Sequence, residues 1–485
     1  MKLRFCTPLS LCPLLVSGCM VGPHYRTPST PMTPAFKEAP PLSSSPVDGW
    51  TVAQPKNAEQ GPWWETYEDP QLNVLEAQVD RANQTLRIAE ANFRQARAAI
   101  GYSRSFEAPT AGVSPGIETL RDSANEPYLA SSVTPNPVGS FTLPLDSSWE
   151  IDLWGRIRRS VRAAREQTQA SAADVAAVRL SLHAELAIDY FDLRGADAQE
   201  QLLNDTVKAY GEALQLTEDR FEGGLAPMSD LAQARTQLKD AQVMATDARA
   251  QRAEYEHAIA VLIGKPPAAF SLAPIPLNTH PPVLPGIPVA LPSELLERRP
   301  DIAAAERRVA AANEQIGIAD AAWYPTLSLS AIAGFQGTSA LNWLTWPSRF
   351  WAVGPEFSET LFDAGRRRAL KDSALAGYDG AVAAYRQTTL NSFQQVEDNL
   401  AVLHVLSTEA QQQRQATAAA QQTLQLFTNL YEGGVDTYLQ VAISQTTALN
   451  NERNDIDIMQ RQLRASVLLI KALGGNWNRK KLPKG

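Results

Sequence analysis

Three cysteines and five histidines are the side chains best suited to ligate a metal or attack an electrophile, and their placement argues against both. His24, His183, His257, His280 and His404 are scattered, without the spacing of a metal site. No glycine-rich phosphate loop and no nucleophile motif appears. The residues therefore suggest no enzyme, no metal and no cofactor. The one reactive group with a clear context is the thiol of Cys19. Lys2 and Arg4 form a short positive region, residues 5–16 are apolar but too few to span a bilayer, and Val16-Ser17-Gly18-Cys19 closes the stretch with small residues. This is the pattern of a bacterial lipoprotein signal, in which the Cys19 sulfur is acylated and the chain is cut before it. A plain secretory signal with an incidental cysteine is the alternative. Cys6 and Cys12 would leave with the signal, so Cys19 would have no disulfide partner within the chain. One acyl chain anchors weakly, so firm attachment needs a second chain or an inserted segment. Met20 follows where an aspartate would favour retention at the inner membrane, which leaves outer-membrane sorting open.

A second cluster is basic. Arg156, Arg158, Arg159, Arg162 and Arg165 recur along one stretch and are echoed by Arg366, Arg367 and Arg368. They read as a solvated helix start; an anion site, or contact with lipid head groups, is the other use of such a series. Overall the chain is acidic, with a net charge of −8 before the signal is removed, which does not suggest nucleic-acid binding. No stretch of about 18 apolar residues follows Cys19. A membrane crossing, if there is one, must be made of strands.

The chain contains two copies of one unit. Pro300-Asp301-Ile302-Ala303, Gln315-Ile316-Gly317 and Pro325-Thr326 answer Asn83 to Ala89, Ala99-Ile100-Gly101 and Pro109-Thr110. Asp152-Leu153-Trp154-Gly155-Arg156 is answered by Asp363-Ala364-Gly365-Arg366, Gly223-Gly224 by Gly433-Gly434, and Gly264 by Gly474. The offset falls from 216 at Gly101/Gly317 to 210 at Gly155/Gly365, so the copies differ by an insertion between residues 109 and 155. The chain divides into a signal (1–18), an extended segment (19–69), a first repeat (70–264), a proline-rich linker (265–292), a second repeat (293–475) and a tail (476–485). Each copy reads as helix, strand hairpin, long helix, turn, helix.

The strands alternate. Phe141, Leu143, Leu145, Trp149 and Ile151 oppose Thr142, Asp146, Ser148, Glu150 and Asp152; Leu327, Leu329, Ala331, Ala333 and Phe335 oppose Thr326, Ser328 and Ser330. Trp351, Val353, Phe357 and Leu361 oppose Glu356, Ser358 and Thr360, while Val113 and Ile117 mark a weaker first strand. One greasy and one polar face suit a transmembrane barrel, and equally a soluble sheet with one solvated side. The signal and the aromatic residues near the strand ends (Trp149, Trp154, Trp323, Tyr324, Trp343, Trp346, Trp351) favour the barrel. Four strands cannot close one, because open edges cannot face lipid. Several chains must pool their strands: three would supply twelve, two a narrow eight filled by its own side chains.

Below the strands, residues 156–222 and 366–432 are proline-free runs of 67 residues each, which as helices reach at most ~100 Å. Gly195, Gly211, Gly377 and Gly380 are points where they could bend. Val175, Val178, Leu182, Leu186, Tyr190 and Leu193 form a narrow coiled-coil stripe. Gly223-Gly224 and Gly433-Gly434 end the long helices with residues that accept φ > 0, and second helices return over 228–263 and 438–473. Gly155 and Gly365 mark the strand-to-helix junctions.

Several segments together resemble the outer membrane factors of the TolC/OprM/NodT type, in their lipoprotein branch. They are Val21-Gly22-Pro23-His24-Tyr25, Trp63-Trp64 ahead of Asp69-Pro70, residues 295–302 with Arg298-Arg299-Pro300-Asp301, Tyr324-Pro325, residues 361–366 and the paired Gly-Gly turns. The resemblance implies an α+β membrane protein. In it a homotrimer pools four strands per chain into an outer-membrane β-barrel, continued by a long periplasmic α-helical barrel with an equatorial belt. It implies a passive exit duct for drugs or other small toxic solutes, docked on a periplasmic adaptor protein and an inner-membrane pump. A duct for protein secretion and a periplasmic coiled-coil scaffold are the rival readings. Gly223, Gly224, Leu225, Gly433, Gly434 and Val435 fall where the family contacts its adaptor. Where relatives often carry acidic gate residues this chain has Gln440 and Ile443. Asp230 and Asp436 are the acidic alternatives, Asp230 being equally an ordinary helix-start residue. Tyr431 and Arg220 are candidates for closing contacts at the tip, or plain helix-surface residues.

Overall fold

The computed structural model describes residues 20–38, 62–121, 123, 137–277, 282, 284–285 and 292–483; the signal segment and Cys19 lie outside the described residues. The first repeat comprises α1 (Pro70–Ala82), α2 (Gln84–Ser105), β1 (Thr110–Val113), β2 (Gly116–Leu120), β3 (Val138–Ile151), α3 (Arg156–Glu222) and α4 (Met228–Leu262). The second comprises α5 (Leu295–Arg298), α6 (Pro300–Ala321), β4 (Thr326–Gly337), β5 (Arg349–Ser358), α7 (Arg366–Glu432) and α8 (Tyr438–Ala472).

Local chemistry sets the helix boundaries. Asp69 caps α1 by accepting from the Gln71 and Leu72 amides at 2.9 and 3.1 Å, with Pro70 in the first turn. Asn83 ends α1, caps α2 through the Leu86 amide, and donates to the Leu262 carbonyl at the end of α4 (2.8 Å). Pro300 opens α6. Beside it Arg299 pairs with Asp301 at 2.6 Å and donates to Ala472 O, at the end of α8, at 2.9 Å. The Arg-Pro-Asp segment thus docks one helix start on another helix's unsatisfied end.

α3 and α7 each run 67 residues without interruption. The interior glycines do not break them. A Cβ on Gly195 would lie 1.8 Å from Gln460 Nε2, so this glycine serves the close approach of α8. The core is drawn out along helix seams. Leu182, Leu186, Tyr190 and Leu193 of α3 are buried with Leu72 and Val79 of α1, Ile259 of α4 and Val467 of α8. A second seam joins Ile302 and Val309 of α6, Tyr385 and Val396 of α7 and Leu469 of α8. Trp64 stacks on His183 at 4.3 Å, and His183 lies 2.5 Å from the buried Glu76, whose carboxyl burial pushes up to about 7. His183 is therefore a core histidine. Among the described residues no helix is long and apolar enough to cross a membrane, and no three acidic, His or Cys side chains could hold a metal.

Candidate functional site

All the strands form one antiparallel sheet with the order β1–β3–β4–β5, and β2 also pairs with β3. β1 and β2 keep the same register on β3, Val113 opposite Leu145 and Gly116 opposite Thr142. They are one strand lane interrupted at Ser114-Pro115, where proline has no amide to donate. Among the described residues the lanes therefore number four. β5 ends at Ser358, so the alternation expected to continue through Thr360 to Leu361 stops short of them.

Cross-strand partners share a face. Val113, Leu145, Ala333 and Trp351 lie in one row, and Phe357, Leu327 and Ile151 in another. The same face holds Ile117, Phe141, Leu143, Trp149, Leu329 and Val353, and it is open: Ile117 is 69%, Val353 62% and Phe357 66% exposed. The opposite face holds Glu118, Thr142, Asp146, Ser148, Glu150, Ser328, Ser330 and Glu356. From Phe141 to Ile151 the apolar face extends ~33 Å along β3, about 25 Å in height at a barrel strand's tilt. That is the height of an outer-membrane apolar band. Trp149, Trp323 and Tyr324 lie toward one end of it, and Trp343, Trp346 and Trp351 toward the other.

The junction to the helices repeats in both copies. Gly155 (φ 82°) and Gly365 (φ 86°) take the left-handed conformation immediately before α3 and α7. Asp152 accepts from the Arg158 amide at 2.9 Å and Asp363 from the Arg367 amide at 3.1 Å, replacing a conventional N-cap. Residues 20–38 run from this junction down the helices. Met20 fills the space a Cβ on Gly155 would need, and Val21 donates to Trp154 O at 3.1 Å. Fully buried Arg159 donates to Val21 O (2.6 Å), Pro23 O (3.2 Å) and Glu314 (2.9 Å). Tyr25 donates to Glu306, which also binds Arg307 at 2.6 Å, and both Lys37 and Glu38 donate through their amides to Glu397.

At the far end, Leu225 N donates to Arg220 O (2.8 Å) and Gly224 N to Phe221 O (3.0 Å); Val435 and Gly434 repeat the pattern on Leu430 and Tyr431, both at 2.9 Å. The second glycine of each pair is left-handed (φ 70° and 71°), whereas Gly223 and Gly433 stay helical at φ −75°. Only the second glycine of each pair is thus required for its φ.

A family model described as outer membrane efflux protein matches residues 69–265 and 291–475. The chain belongs to the outer membrane efflux protein family. It is 31% identical over 469 residues to the toluene efflux pump outer membrane protein TtgC of Pseudomonas putida, covering 97% of this chain and 95% of that one. It is also 31% identical over 418 residues to the pyoverdine export outer membrane protein OpmQ of Pseudomonas aeruginosa, covering 86% and 87%. Among solved structures it superposes on the outer-membrane channel OprN with a TM-score of 0.85 at 29% identity, covering 94% of this chain and 99% of OprN. As an outer membrane efflux protein it resides in the outer membrane and reaches into the periplasm. Efflux displaces the secretion-duct and scaffold readings.

In this efflux protein the tip residues expected to meet a partner are open, Leu225 at 83% and Val435 at 75% exposure. The gate candidates separate. Arg220 donates to Tyr431 O at 2.6 Å and Glu432 O at 2.8 Å and lies 4.4 Å over the Tyr431 ring. Tyr431 is itself buried against Tyr438 and Ala234. These two residues clamp the end of α3 to the end of α7 inside one chain. Asp230 is half-buried in the first turn of α4, 3.4 Å from Ser229 Oγ, and Asp436 accepts from the Thr437 amide at 2.7 Å. Gln440 is half-buried and Ile443 exposed. Sequence reasoning missed Gln237, whose side chain donates to Ala442 O at 2.8 Å and accepts from Tyr438 (3.1 Å). Nothing in its local pattern marks it out.

Proposed function

We propose that three copies of this chain pool their four lanes into a twelve-stranded outer-membrane barrel. Their helices continue it as a periplasmic duct through which small toxic solutes leave. One observation carries the reading: an open-edged sheet with a continuous, uncovered apolar face runs directly into helices of ~100 Å. Unpaired edges next to lipid require neighbouring strands. Three copies suit it better than two. Glu118, Asp146 and Glu356 lie on the inner face and need water, which an eight-stranded barrel filled with side chains does not admit.

On this reading Cys19 carries the lipid anchor, one residue before the Met20 that packs at the sheet's base. The described parts of the linker and terminal segments (265–277, 20–38, 62–69 and 476–483) wrap the duct between the two repeats. Ile275 and Leu277 of the linker support this, donating to Asp197 and to Arg194 O of α3 at 2.9 and 3.2 Å. Gly223, Gly224, Leu225, Gly433, Gly434 and Val435 meet a periplasmic adaptor coupled to an inner-membrane pump. Asp230, Asp436 and Gln440 line the narrow end near the Arg220–Tyr431 clamp. The duct performs no covalent chemistry on its cargo. Light scattering of the mature protein should return three copies, and planar bilayers should show discrete conductance steps. A monomer that leaves bilayers silent overturns the proposal.

A further inference from the structure

The arginine series at the start of α3 is only partly used by the fold. Arg156 pairs with Glu150 at 2.6 Å, Arg158 with Asp152 at 3.1 Å and Arg159 with Glu314 at 2.9 Å. Arg162 and Arg165 form no ion pair with the described residues, and the enclosed Nε of Arg165 has no hydrogen-bond partner among them. Both line a cavity of about 370 Å³ whose far wall is Met20 and the extended chain after it. Its two carboxylates are already committed, Glu314 to Arg159 and Glu166 to Arg307 at 2.8 Å. The cavity therefore presents two uncompensated guanidinium groups, on one face of α3 at a spacing of three residues.

Its position selects the ligand. Side chains on a helix lean toward its N-terminus, which for α3 is toward the sheet. Arg162 lies about 10 Å and Arg165 about 15 Å of helix rise below Gly155, and their side chains reach roughly 6 Å back toward the sheet, so the guanidinium groups face the lower edge of the headgroup layer. The Trp154–Tyr324 stack stands at the junction, and a headgroup layer is roughly 5–7 Å deep on each side of a bilayer. Guanidinium groups bind phosphate oxygens through paired N–H donors.

We propose that this cavity binds a phosphate-bearing anion, the headgroup of an anionic phospholipid in the inner leaflet, one per copy and beside the lipidated terminus. The proposal rests on the reading that the sheet lies in the membrane directly above.

Native mass spectrometry of the detergent-purified mature protein tests it. The wild type should retain phosphatidylglycerol and not phosphatidylcholine. An Arg162→Gln/Arg165→Gln variant should retain phosphatidylglycerol about 100-fold less, roughly tenfold for each charge-assisted hydrogen-bonding group removed. Arg162→Lys/Arg165→Lys keeps the charges and should fall between them, with circular dichroism and oligomer mobility unchanged in both variants. If inorganic phosphate binds as well as phosphatidylglycerol and the Gln variant loses both, the site stands with the free anion as its ligand. If the protein fails to enter vesicles yet shows this arginine-dependent binding, the membrane reading fails and the site survives. Equal retention by wild type and Gln variant, or equal retention of the two lipids, overturns the proposal.

Discussion

Replacing Ala331 by arginine puts a charge at the middle of the apolar face, and replacing Ser330 puts the same charge one residue away on the other face. Ala331 pairs with Ser147 and Val353, Ser330 with Ser148 and Gly354, both near the centre of β4, so strand context is matched. On a lipid-facing barrel surface arginine at the midplane costs about 2–4 kcal/mol, hence about 6–12 kcal/mol for the proposed three copies. At 3 kcal/mol per copy the folded fraction falls by roughly two orders of magnitude per copy. Ser330→Arg should cost about 1 kcal/mol or less and instead add positive charge to the lumen, shifting conductance toward anions. Folding into lipid vesicles under a urea titration measures the first effect, and reversal potentials in planar bilayers the second. Equal losses for the two substitutions, or a loss below about 1 kcal/mol per copy for Ala331→Arg, would refute the assignment of faces.

Arg220→Ala removes two donors from the last carbonyls of α7 and a cation–π interaction. It should loosen the tip by about 1–2 kcal/mol in this partly exposed setting and raise conductance; unchanged conductance and amide exchange at residues 425–435 would argue against a clamp. Arg159→Ala leaves Glu314 buried without its partner, a loss of about 3–5 kcal/mol, and frees residues 20–38. Limited proteolysis should cut that segment first, and an unchanged digestion pattern would contradict its anchoring by Arg159. Glu76 is held well above its unfolded range by burial, at about 7. The native state then binds more protons than the unfolded chain, so this group's contribution is complete below pH ~4.5 and is lost as pH rises through about 7. Glu76→Gln should flatten that decline in thermal scans between pH 5 and 8, and an undiminished slope would refute it.

Much of this protein is legible without coordinates because its signals are local. The proline-free runs at 156–222 and 366–432 become uninterrupted helices, and period-two alternation from Phe141 to Ile151 becomes a strand. Backbone periodicity repeats every few residues and needs no distant partner to be read. What only the tertiary structure decided are meetings between segments far apart in the chain. Examples are Arg220 on the α7 terminus, Arg159 buried beneath Val21 and Pro23, Met20 against Gly155, and Arg299 closing α8. The same is true of backbone sign at the turns, where two adjacent glycines look alike in sequence and only the second takes positive φ. A side chain's partner depends on which helix ends the packing brings together, and no residue's neighbours in sequence encode that.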